Sequence, residues 1–175
     1  MTDRKRIAFI NKDVSGDDSD NRARFEENGK ILERLGEFYE VAAYSGLSDR
    51  TCKKLRQNCS SHGPYHGIVT HVPANPHYLD RLRMSGERLS DMPQERKAEI
   101  VYGSSIDLIK GLHESFPTSL IVAYTGADED VLPDWKLKTH GIQHILRRSS
   151  HIPYWLTERD IGSDIEKIIG WINSG

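Results

Sequence analysis

Two cysteines in 175 residues, Cys52 and Cys59, are too few for a disulfide framework. They stand seven apart on a helix-like stretch, without the C-x-x-C spacing of a metal or redox pair, and two idle thiols in a reducing compartment are expected. No apolar run approaches the ~18 residues that cross a bilayer. The segment Met1–Arg6 runs straight into an apolar stretch without a cleavage-site pattern, so no secretory signal is expected and the cytoplasm is the expected compartment. An excess of charge of one sign is lacking as well. Lys plus Arg number 24 against 26 Asp plus Glu, a formal charge of -2, which argues against a chain-wide nucleic-acid footprint. There is no G-x-G-x-x-G, Walker or H-E-x-x-H pattern, and the eight histidines lack a metal-ligand spacing. Neither a metal nor a cofactor is expected.

What is present is a folded-domain composition: 37% hydrophobic and 29% charged residues, too polar for a membrane protein and too apolar for a disordered one. Short apolar runs alternate with amphipathic stretches. Ile7–Ile10, Glu40–Tyr44, Gly67–Val72, Leu120–Tyr124 and Ile142–Leu146 read as strands, several of them apolar throughout, as in a sheet buried on both faces. Helices are expected over about 21–35, 49–59, 93–117 and 163–173. In the first, Phe25, Ile31, Leu32 and Leu35 fall on one stripe; in the last, Ile165, Ile168, Ile169 and Ile172 do. The acidic loop Asp13–Asp20 lacks the oxygen spacing of a calcium loop and suits the positive end of the first helix. Strand and helix in alternation imply a parallel sheet covered on both sides. One domain over residues 1–175 is expected, with an inserted polar arm at about 73–94, too long for a simple connection.

Two stretches carry a family resemblance. Ile121-Val122-Ala123-Tyr124-Thr125-Gly126, preceded by Phe116-Pro117, is similar to a fourth strand closed by a hydroxyl and a small residue. Gly141-Ile142-Gln143-His144-Ile145-Leu146-Arg147-Arg148-Ser149 follows the outline of a fifth strand that ends in a lysine, with Arg148 at the lysine position. In both, and in the order of elements, the chain resembles a response-regulator receiver domain. The resemblance implies a flavodoxin-like three-layer α/β/α sandwich, a five-stranded parallel sheet in the order 2-1-3-4-5, with the insertion after the third strand.

The departures from that family are chemical. A phosphorylated receiver needs a carboxylate at the end of the third strand as the acyl-phosphate nucleophile; the matching position here is His71. The acidic pair that would hold a divalent cation after the first strand is matched by Asn11 and Lys12, with Asp13 one residue later. In a parallel sheet, ligands bind beyond the carboxyl ends of the strands. The candidate pocket is therefore Asn11, Lys12, Asp13, Thr125 and Arg148 around His71. Two uses are open: a self-satisfied polar network, for example Asp13 with Arg148, or a small anion held by Lys12 and Arg148.

The expectation is a receiver-like module that signals through protein contacts without aspartate phosphorylation, with no catalytic residue, as a dimer or a partner-docking unit of a two-component type of system. Trp135, Tyr154 and Trp155 are its candidate interface anchors, because aromatic side chains dominate interface energetics. The alternative is a small nucleotide- or phosphate-binding enzyme on the same sheet, with His71 as general base. The locally basic run Arg81–Arg88 reads as a solvated loop. Partners are expected to be proteins or a second copy of the chain, not membranes or nucleic acid.

Overall fold

The computed structural model describes residues 3–11, 22–147 and 158–175. Five strands, β1 (Arg6–Ile10), β2 (Glu40–Tyr44), β3 (Gly67–His71), β4 (Leu120–Thr125) and β5 (His144–Arg147), form one parallel sheet in the order β2-β1-β3-β4-β5. Among the described residues six helices connect or flank them: α1 (Arg22–Gly36), α2 (Asp49–His62), α3 (Tyr78–Ser85), α4 (Gln94–Ser115), α5 (Asp134–Thr139) and α6 (Glu158–Ser174). The order follows from crossovers that must cover both faces of a parallel sheet.

Strand alternation divides the core into two layers. Ile7, Phe9, Val69, Val122 and Tyr124 pack toward Ile31 and Leu35 of α1 and Ile165, Ile168 and Ile172 of α6. Ala8, Ile10, Ile68, Ile121 and Ala123 pack toward Leu55 of α2, Ile106, Ile109 and Leu112 of α4, and Leu137 of α5. β1 is buried at all five positions, which is why it reads as an apolar run and not as an alternation. Each fully buried Ile or Leu contributes about 1.5–3 kcal/mol.

At the amino end of the sheet a buried arginine orders the layer. Arg6, 8% exposed, donates from Nε to Glu40 and from Nη2 to Asn58, and its guanidinium lies 4.9 Å from the Tyr65 ring centroid. Tyr65 in turn shares a 2.8 Å hydrogen bond with the Tyr44 hydroxyl. Burial is the main reason that the Tyr65 phenol is pushed far above its ordinary value, so it stays neutral. Both cysteines are free; Cys52 is buried, and burial raises its thiol.

Three local features differ from the sequence expectation. The polar segment after β3 contains a helix, α3, and a 3-10 turn at Leu89–Asp91. α3 buries no residue, so no apolar stripe announces it, and Gly86 in the left-handed region ends it. α5 was not anticipated either; at six residues it is too short for a helical period to stand out. β5 begins at His144, not Ile142, because the Ile142 amide still donates to Leu137 in the turn that ends α5. Elsewhere the elements stand within a few residues of expectation, the larger shifts being at the end of α2 and the start of α6.

Asn75 and Ser105 anchor the segment after β3 to α4. The backbone amide of Asn75 donates to the Val101 carbonyl at 2.6 Å, its Nδ2 to the Ile100 carbonyl at 2.8 Å, and its Oδ1 accepts from the Ser104 amide at 3.1 Å. Ser105 adds a hydrogen bond from Oγ to the Pro73 carbonyl. Among the described residues no helix is long and apolar enough to cross a membrane.

Candidate functional site

The carboxyl ends of β1, β3, β4 and β5 form the edge where a parallel sheet presents ligands, and the crevice between β1 and β3 is where the strand order reverses. β1 and β3 pair through Ile10 and Thr70, so Asn11 and His71 follow side by side, on strands about 4.8 Å apart. Asn11 continues the Ile7–Phe9 alternation, and His71, paired with Tyr124, continues that of Val69. Both therefore belong to the face covered by α1 and α6.

Asn11 is 6% exposed; its amide donates to the Tyr44 carbonyl at 3.0 Å, and its Nδ2 to Asn28 Oδ1 at 3.4 Å. Asn28, on α1, is equally enclosed, and its Nδ2 has no hydrogen-bond partner among the described residues. A buried donor left in this way costs about 1–3 kcal/mol. Asn28 is not among the residues that the sequence reading singles out, although position 28 falls between Phe25 and Ile31 on the apolar stripe of the helix, where a polar residue is conspicuous. His71 is half-buried, and its carbonyl accepts from the Thr70 hydroxyl at 3.0 Å.

Thr125 is fully buried at the end of β4, one position past Tyr124, and so belongs to the opposite face. Its Oγ1 accepts from the Ala127 amide at 3.0 Å, which turns the chain out of the strand. The cation at the end of β5 is Arg147, paired in register with Thr125. Its guanidinium donates to the Ala127 and Leu132 carbonyls and to Asp134. These four hydrogen bonds hold the β4–α5 connection against the sheet edge. The family outline points one residue further, to Arg148, which lies outside the described residues.

Lys12, Asp13, Arg148, Tyr154 and Trp155 lie outside the described residues. Trp135, on α5, is 49% exposed, with Lys136 Nζ 5.8 Å from its ring centroid. Among the described residues no three His, Cys, Asp or Glu side chains converge as a metal site would require.

The chain superposes on known structures. The chain has a flavodoxin-like fold. A structure described as an adenylate cyclase from Rhodopirellula baltica superposes with a TM-score of 0.53 at 13% identity, over 97% of this chain and 90% of that one. A receiver domain protein from Methanospirillum hungatei gives 0.47 at 14% identity, over 94% and 95%. A response regulator from Thermotoga maritima gives 0.47 at 14% identity, over 91% and 98%. No protein-family model matches the chain, and no curated protein matches it in sequence. At these identities the likeness concerns the fold alone and leaves the chemistry of the strand ends to be argued from this chain's own residues.

Proposed function

We propose that the chain is a receiver-like signalling module of the cytoplasm that acts through protein contacts, as a dimer or a docking unit, without conventional aspartate phosphorylation. One observation carries the reading: β3 ends in His71, in register with Tyr124 and one place before Thr125, where the receiver resemblance calls for an acceptor carboxylate. An imidazole there cannot form an acyl phosphate. Beside it stands Asn11, a neutral amide where an acidic residue would help to hold a hard cation.

The output side of the module is proposed to be the surface carrying Trp135, with Tyr154 and Trp155 as further anchors. The half-exposed indole of Trp135 supports this, since a large aromatic left in contact with water gains from being covered.

The test is incubation of the full chain with acetyl phosphate and magnesium, followed by intact mass. No added phosphoryl group on an aspartate is expected. A labile adduct that Asp13→Asn abolishes would overturn the reading and make the chain a phosphorylated switch.

A further inference from the structure

A second concave site lies at the opposite, amino end of the sheet. It is a half-open cleft of about 380 Å³, at the small end of the range for ligand pockets, bordered by Lys5, His66, Thr118 and Gln143, with Leu120, Ile172 and the terminal Gly175 beside them. Two of its polar side chains are fixed as donors by hydrogen bonds made elsewhere. His66 Nδ1 accepts from the Arg6 amide at 3.1 Å, so in the neutral ring the proton resides on Nε2. Gln143 Oε1 accepts from the Ile121 amide at 2.9 Å, while the Gln143 amide donates to the Ile121 carbonyl at 3.0 Å. Gln143 thereby replaces a rung of the β4–β5 ladder, and what it has left to offer is its NH₂ group.

Lys5 completes the set. Its ammonium donates to the Ile172 carbonyl at 3.0 Å, which uses one of three N–H groups. The cleft thus presents an ammonium, an imidazole N–H and a carboxamide NH₂, with the Thr118 hydroxyl able to add a fourth donor, beside the apolar Leu120 and Ile172. Such a set is complementary to a compact group of acceptors with negative charge, and the apolar side to a hydrocarbon body.

We propose that this cleft binds a small organic carboxylate with an apolar body. The carboxylate lies among Lys5, His66 and Gln143, and the body lies against Leu120 and Ile172. This site is separate from the strand-end crevice, at the other end of the same strands, and does not depend on how His71 is used.

The experiment is a titration of the full ¹⁵N-labelled chain with sodium benzoate, compared with benzyl alcohol and with inorganic phosphate, read by amide chemical shifts. Saturable shifts around Lys5, His66 and Gln143 are expected with benzoate, with affinity at least about tenfold above that of the neutral alcohol or of phosphate. Gln143→Glu keeps an acceptor for the Ile121 amide but replaces the NH₂ donor with a negative oxygen, and at least a tenfold loss of benzoate affinity is expected. Lys5→Gln, which leaves the core untouched, is expected to lose affinity in the same direction. No saturable response by about 20 mM benzoate overturns the proposal, as does equal binding of the alcohol, preference for phosphate, or wild-type affinity in both variants.

Discussion

Arg147 and Asp134 face one another across the end of the sheet, with Arg147 Nε donating to Asp134 Oδ1 at 3.0 Å and Nη2 reaching the same oxygen. The pair fastens the last residue of β5 to the first turn of α5. The remaining donors of the guanidinium satisfy two loop carbonyls, Ala127 and Leu132. The arginine therefore matters more than its partner. Arg147→Met is expected to cost about 2–4 kcal/mol in urea unfolding, because it leaves both carbonyls and a carboxylate without their donor. Asp134→Asn, which keeps Oδ1 as an acceptor, is expected to cost less than about 1 kcal/mol. Equal costs would mean that charge, not the carbonyl bonds, holds the loop.

Asn75 makes a comparable prediction for the segment after β3. Its carboxamide spans the Ile100 carbonyl and the Ser104 amide, the two groups of one helical i, i+4 step. Asn75→Asp keeps the acceptor for Ser104 and sets a negative oxygen against the Ile100 carbonyl. The expected loss is about 1–3 kcal/mol, with amide hydrogen exchange accelerated between the β3 end and the middle of α4. Unchanged exchange there would show that the segment is held by other contacts.

How far the sequence foretold this molecule depends on whether a feature is periodic or made by convergence. The buried strands announce themselves as apolar runs, β1 because it is enclosed at every position, and α6 through a stripe of isoleucines. Parallel order then follows from alternation with helices. α3 was invisible because it has no buried face, and the Asn75 anchor because nothing in the chain marks which amide will meet a helix 25 residues away. At the strand ends, the apolar run predicts β3 as far as Val72, and the strand stops one residue earlier, at His71. β5 itself ends at Arg147, and Arg148, at the lysine position of the family outline, lies outside the described residues; a family outline fixes position only to within a residue, while strand alternation makes one residue decisive.

Gly141 is a position where glycine is required for two independent reasons. Its φ of 98° lies in the left-handed region, and a Cβ there would overlap the His113 ring on α4. Gly141→Ala is expected to lose about 2–4 kcal/mol in thermal or urea unfolding, the backbone and steric costs adding. Gly36→Ala at the end of α1 serves as the comparison. A Cβ at Gly36 meets nothing within 4 Å, and its cost is expected to stay within about 0.5 kcal/mol. A Gly141 variant as stable as the Gly36 variant would mean that His113 swings clear and that the backbone relaxes with it.

His144 stacks on Trp171 of α6, with ring centroids 4.4 Å apart and planes 5° from parallel. Burial, aided by the charge of Lys138, lowers its pKa below the ordinary histidine value. The unfolded chain therefore takes up a proton at His144 at a higher pH than the folded chain does. Between the two values the unfolded state binds more protons, so stability rises with pH across that window. The contribution is complete above the ordinary histidine value and is lost as pH falls through the lowered one. His144→Phe keeps an aromatic ring against Trp171 and removes the titration. Urea midpoints of wild type and variant, followed from about pH 7 down to pH 5, are expected to fall less steeply for the variant. Parallel profiles would place the acid sensitivity of the fold in other groups and leave His144 with a packing role alone.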